Sequence, residues 1–303
     1  MNLIAQYLFF PGLLFSLLVG GLGWWLERKL TARFQYRVGP PWYQTYIDIL
    51  KLFFKETILP QDANKTLFVL SPLLAFSSAV VVGIIINKNY FSQDGFLGDI
   101  FVILYLLIIP SLFIIIGGLS SSNPLASVGA AREIKLMLSY EFVFIVSVVI
   151  IIIKSGGSFS LEGIIKSQAA GGSHIASLSG AIGFILAFLY LQAKLGIVPF
   201  DVAEAEQEIM GGTFIEYSGS LLGFYRLAKT ILYCSLPILL IALFMGNKTE
   251  GIHLIYKYCI IILLVSVVKN TNPRLRIKDV IGLFWFFLFP LGCLGVVLAV
   301  LGK

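Results

Sequence analysis

Long apolar stretches constrain this chain more than any other feature. A helix that crosses a bilayer needs roughly 20 mainly apolar residues, and about eight stretches approach or meet that length, near 3–26, 67–86, 98–119, 136–153, 178–195, 218–244, 254–268 and 280–301. With 58% hydrophobic residues and only 13% charged ones, the chain exceeds what a globular core requires. The pattern predicts an all-α fold, a polytopic transmembrane helical bundle with amphipathic cytoplasmic connectors, forming a single integral membrane domain over residues 1–303. The first stretch is too long for the short apolar core of a cleaved signal peptide and is expected to remain as a span. The Gly/Ser-rich run 155–179 reads as an outer loop. No internal repeat is visible.

Charge sets the expected orientation. Connectors following odd-numbered spans carry Arg28, Lys29, Arg33, Arg37, Lys51, Lys55 and Lys65, then Arg132 and Lys135, Lys194, and finally Lys269, Arg274, Arg276 and Lys278. The even-numbered connectors offer only Lys88, Lys154, Lys166 and Lys248. By the positive-inside rule the odd connectors are cytoplasmic and both termini lie on the outer face of the cell membrane. The net charge of +6 therefore reports topology rather than nucleic-acid binding. Cys234, Cys259 and Cys293 lie singly in apolar runs, and His174 and His253 are far apart. That set builds no metal, iron-sulfur or bis-histidine haem site, so no catalytic residue, metal or cofactor is expected in this chain.

Two connectors carry more than topology. In 46–56, Ile47, Leu50 and Phe54 recur at i, i+3, i+7, with Asp48, Lys51 and Lys55 on another side, which describes an interfacial helix. It serves either as a surface anchor or as a wall for a soluble partner, and Arg33 and Arg37 lie just before it. In the fifth connector, Pro199 can start a helix that places Asp201, Glu204 and Glu208 on one face, with Glu206 turned away, before Gly211-Gly212 ends it. Glu216 follows at the mouth of the sixth span. These five carboxylates oppose the positive-inside trend, and their crowding is expected to raise some of their pKa values. A solvated acidic face is the simpler alternative.

An ionisable group inside a span is costly unless paired, hydrated or neutral. Glu141 lies in an otherwise apolar stretch just after Arg132, Glu133 and Lys135. Arg226 and Lys229 could stabilise Glu141 or Glu216, or snorkel to an interface, and Lys194 closes its span in a similar way. Such a string of acids and bases can relay protons. A secondary transporter would also place charges in the membrane, but it predicts symmetry between halves that is not visible; a passive anchor would leave Glu141 without a purpose.

Four blocks carry a family resemblance: Glu27-Arg28-Lys29 with Phe34-Gln35-Tyr36-Arg37-Val38-Gly39-Pro40 and Asp48-Ile49-Leu50-Lys51-Leu52; Gly129-Ala130-Ala131-Arg132-Glu133 leading to Ser139-Tyr140-Glu141; Pro199-Phe200-Asp201-Val202-Ala203-Glu204-Ala205-Glu206 with Glu216-Tyr217-Ser218-Gly219; and Pro273-Arg274-Leu275-Arg276. Through them the chain resembles, nearly end to end, the largest membrane-anchor subunit shared by respiratory complex I and the energy-converting membrane-bound nickel-iron hydrogenases. In complex I that anchor contributes to the quinone chamber, and its acids begin the proton path called the E-channel. The resemblance implies a proton path through Glu141, Asp201, Glu204, Glu206, Glu208 and Glu216, with Arg28, Arg37, Arg132, Lys135, Arg226 and Lys229 as charge partners. It implies a docking surface at Arg33, Arg37, Asp48, Lys51, Arg274 and Arg276.

Three departures lean toward the hydrogenase branch: Gly39-Pro40-Pro41-Trp42 without a Leu-Gln-Pro run, Glu133 after Arg132 where complex I has a small residue, and Glu206-Gln207-Glu208 in place of Glu-Ser-Glu. The implied partners are hydrogenase large and small subunits, a ferredoxin-like iron-sulfur subunit and antiporter-like membrane subunits, with the iron-sulfur clusters and nickel-iron centre in those partners. Complex I and sulfane-reductase or formate-linked relatives stay open, as does proton against sodium.

Overall fold

In lipid every backbone N–H and C=O must be satisfied within its own segment, so apolar stretches of this length become helices. The computed structural model describes residues 3–92, 98–246 and 251–302, without the side chains of residues 3–5 and Glu206. Lys248 falls outside them, and Glu206 is described by its backbone alone. Among the described residues there is no strand. The main helices are α1 (Leu3–Leu8), α2 (Leu13–Phe34), α3 (Gln44–Phe54), α4 (Lys65–Ser92), α5 (Asp99–Ser120), α6 (Pro124–Lys154), α7 (Leu161–Gly171), α8 (Leu178–Lys194), α9 (Glu206–Ile209), α10 (Gly219–Phe244), α11 (Gly251–Thr271), α12 (Ile277–Gly282) and α13 (Phe289–Val300). A π-helical stretch, Leu283–Leu288, joins α12 to α13.

Among the described residues seven helices are long and apolar enough to cross a bilayer, counting α1–α2 together and α12–α13 together; α8 is the shorter eighth. Its 17 residues rise about 26 Å at ~1.5 Å each, against a hydrocarbon core of about 30 Å. It is enclosed by protein on most sides, including its last turn. α10 is the central post: 89% of its apolar window is buried, and it packs against α2, α4, α3 and α11. Close approach to α2 depends on Gly20, where a Cβ would fall 1.9 Å from the Thr230 carbonyl oxygen; small residues at helix crossings serve this purpose in membranes. α6 packs against α5, α8 and α13.

Three expectations need correction. The fourth span does not begin at 136: α6 starts at Pro124, where Asn123 caps it by accepting the Leu125 N–H and Pro124 supplies a preset φ at the first helical position. Charges at Arg132, Glu133 and Lys135 end a hydropathy window without ending a helix. The run 155–179 is not simply a loop, because it contains α7, whose Gln168 Nε2 donates to the Ala242 carbonyl at 2.8 Å and whose Oε1 accepts the Gly246 N–H at 2.7 Å. That side chain caps the end of α10.

The interfacial helix is present as α3; it packs Thr45 and Ile49 against the protein and leaves Leu50 and Phe54 exposed, as a helix lying against lipid does. Its docking on α2 is set by polar ends: Tyr46 Oη donates to the Leu18 carbonyl at 2.6 Å, and Arg28 pairs with Asp48 at 3.0 Å. Last, the fifth connector does not form a helix from Pro199. Residues 200–205 turn irregularly and only the short α9 follows, so Asp201, Glu204 and Glu208 share no helix face. Each is held instead by a cation from a different element.

A polar cavity with three acids and three cations

α6 enters the cavity from one side. At 100° per residue, Glu133, Met137, Tyr140 and Glu141 fall at i, i+4, i+7 and i+8 on one side of the helix, while Arg132 points elsewhere. α8 faces them with Lys194 in its last turn. Lys194 Nζ donates to Glu141 Oε1 at 2.7 Å, with the lysine side chain fully buried and the glutamate 9% exposed. The ammonium also lies 5.2 Å from the Tyr140 ring centre and 5.9 Å from that of Tyr190, so the pair sits in an aromatic box that favours the cation. Arg226 and Lys229, which the sequence offered as partners for Glu141 or Glu216, are not used that way. Lys229 pairs with Glu204 at 3.3 Å, and Arg226 stacks its guanidinium 6.0 Å over Trp24.

Between these groups lies a cavity of about 60 Å³ lined by Glu133, Lys194, Asp201, Glu204, Arg226 and Lys229. At roughly 10–15 Å³ per water it has room for a few waters. Asp201 and a further lining residue, Thr213, carry buried oxygens with no protein partner among the described residues, Asp201 Oδ1 and Thr213 Oγ1, and such atoms are ordinarily satisfied by water. A larger groove of about 590 Å³ between α2 and α11 is lined by apolar and aromatic residues with Cys259, and it holds no charged residue. Of these two spaces, the ionisable side chains line the smaller.

The other candidates are more dispersed. Asp201 Oδ2 pairs with Arg274 at 2.8 Å; burial pushes its carboxyl above the usual range, with Arg274 opposing the shift and Glu204 adding to it. Glu208 pairs with Arg132 at 2.6 Å, and Arg132 also donates to the Val202 carbonyl. Glu216 accepts from Asn123 Nδ2 at 2.5 Å, at the start of α6. Arg28 is held by Asp48 within the chain rather than by the intramembrane acids. Arg33, Arg37, Lys51, Lys135 and Arg276 are exposed, and none of their side chains makes an ion pair among the described residues.

Sequence reasoning missed two acids. Glu27, buried in α2, pairs with Lys269 at 2.7 Å and accepts from Thr31. Glu133 was noted as a neighbour of Glu141 and as a departure from a family pattern but not as a path residue, although its i, i+8 relation to Glu141 was a legible signal. Among the described residues no group of three or more His, Cys, Asp or Glu side chains has metal-binding geometry.

Comparison with known proteins places this architecture. The profile of the family described as NADH dehydrogenase matches residues 8–300. The chain belongs to that family. It is 35% identical over 292 residues to the H subunit of the NADH-quinone oxidoreductase of Dehalococcoides mccartyi strain CBDB1, covering 90% of this chain and 80% of that one. It is 33% identical over 325 residues to the same component in Thermomicrobium roseum, covering 97% and 95%. Among solved structures, a chain of the membrane-bound sulfane sulfur reductase, an archaeal respiratory membrane complex, superposes with a TM-score of 0.85 at 24% identity, covering 95% of this chain and 96% of that one. At that identity the likeness concerns the fold.

Proposed function

We propose that this NADH dehydrogenase family member is the non-redox coupling subunit of a respiratory oxidoreductase complex in the cell membrane. Its cavity acids pass protons as electrons move in a soluble arm. The carrying observation is the buried Glu141–Lys194 pair, because two charges inside a span are retained at a cost that a passive anchor has no reason to bear. Glu204 with Lys229, and Asp201 with Arg274, continue the string toward the connector side. Glu206, Glu208 and Glu216 belong to its entrance. The exposed Arg33, Arg37, Lys51 and Arg276 form the docking face for the arm, which places the odd connectors in the cytoplasm and both termini outside.

For the arm itself we favour a ferredoxin-linked, energy-converting hydrogenase, with large and small subunits, a ferredoxin-like iron-sulfur subunit and antiporter-like membrane subunits as partners. The nickel-iron and iron-sulfur centres belong to those chains. Glu133 supports this branch by adding an acid to the cavity. The second reading, a membrane component of an NADH-quinone oxidoreductase, is favoured by the names of the similar bacterial proteins. Metal and flavin analysis of the purified native complex separates the two. Nickel with iron and without flavin is the expected result; flavin with an NADH-oxidising subunit and no nickel would establish the second reading instead.

A further inference from the structure

Lys194 and Lys229 line the polar cavity with Glu133, Glu204 and Asp201; Asp201 is committed to Arg274, and Glu141 adjoins the cavity through Lys194. Lys194 is committed to Glu141 and Lys229 to Glu204. Glu133 lies within electrostatic range of Lys194, Lys229 and Glu204, lines the same cavity, and makes no hydrogen bond or ion pair of its own among the described residues. Protonating Glu141 or Glu204 strands a lysine in a poorly solvated place, a costly state. Protonating Glu133 strands nothing and relieves its repulsion with Glu204. Of the three acids it is therefore the easiest to neutralise and to recharge. Its place on α6, two turns before Glu141 on the same side, puts it between the connector acids and the buried pair.

We propose that Glu133 is the mobile proton carrier of this cavity, linking the Glu204–Lys229 pair to the Glu141–Lys194 pair through the few waters the cavity holds. The assignment rests on the coupling role given above. One proton leaves a water or acid on the Glu204 side and binds the Glu133 carboxylate, forming a neutral carboxyl group. That group then gives its proton to Glu141, whose salt bridge to Lys194 opens as its charge is lost. Only O–H bonds form and break, one proton enters and one leaves, and no electron moves.

The test uses the intact complex in proteoliposomes, with ion translocation measured per electron for wild type, Glu133→Gln, Glu133→Asp and the double variant Glu141→Gln/Lys194→Met, which removes both charges of the buried pair. Glu133→Gln is expected to lower the translocation rate on the order of 10²-fold, the lower range for one positioned proton-transfer group, and Glu133→Asp to restore much of it. In redox-triggered infrared difference spectra, Glu133→Gln should also delete one protonated-carboxyl band. If Glu133→Gln pumps at the wild-type rate while the double variant does not, the carrier assignment is overturned and the coupling reading stands. If both pump normally, the coupling reading itself fails. A loss in Glu133→Gln that Asp does not restore, with the infrared band unchanged, would mark a structural position and also overturn the carrier.

Discussion

Replacing Glu141 with Gln keeps the side-chain size and an oxygen that can still accept from Lys194, but it removes the charge that compensates a fully buried ammonium. Breaking a buried pair by removing one partner costs about 3–5 kcal/mol, whereas replacing both partners with neutral side chains of similar volume is often neutral or stabilising. The single Gln variant should fall at the lower end, ~3 kcal/mol, because the hydrogen bond survives and Lys194 retains the Tyr140 and Tyr190 rings. At roughly 2–3 °C per kcal/mol for a chain of this size, its apparent melting temperature should drop about 6–9 °C. The double variant Glu141→Gln/Lys194→Met should recover most of that loss and still fail to translocate. Scanning fluorimetry in detergent gives the first quantity and proteoliposome assays the second. Equal melting temperatures for the single and double variants would refute the electrostatic account. A double variant that pumps like wild type would refute the functional one.

The remaining predictions concern the two ends of the helical bundle. His174, buried and placed near Lys154, has its ring pKa pushed down from 6.5 to about 4 by burial first and Lys154 second, so the unfolded chain binds the extra proton between those values. Stability should be fully present above about pH 6.5 and fall as the pH drops toward 4, by about 3 kcal/mol at roughly 1.4 kcal/mol per pH unit; His174→Gln should flatten that slope in melts across the range, and an unchanged slope would exclude the histidine as its source. Arg37, exposed and without an ion pair in the described residues, can be reversed to Glu with little effect on the protein's own melting temperature. The arm should nevertheless be lost on co-purification, and a fully occupied, active complex would remove Arg37 from the docking face.

How much of this was legible depended on which interactions were local. Apolar length alone located the spans, because a spanning helix satisfies its backbone within one segment. The i, i+3, i+7 pattern found α3, but not which side it buries: Ile49 turns inward because Tyr46 reaches the Leu18 carbonyl and Arg28 holds Asp48, contacts to a helix far back in sequence. The acids at 201–216 were visible as a cluster. Their helix was not real, since in the irregular 200–205 segment side chains from other elements hold the connector instead. The choice of Lys194 over Arg226 or Lys229 for Glu141 follows from the packing of α6 on α8, a pairing 53 residues apart in sequence that no periodicity encodes.

Those partner choices give the connector its mechanical meaning. Asp201 is held by Arg274 before α12, Glu204 by Lys229 of α10, and Glu208 by Arg132 of α6, so one irregular segment is fastened to three elements by three ion pairs. It cannot shift as a unit without loosening all three or exchanging their partners. The Leu275 N–H to the Pro199 carbonyl, at 3.2 Å, adds a backbone tie at the same place. Arg132 and Glu133 are successive residues on α6, about 100° apart around the helix; one grips the connector while the other lines the cavity. In the proposed coupling role, a force on the connector from a docked arm acts on the charges around Glu133 and Glu204 through these ion pairs, and from there on the Glu141–Lys194 pair.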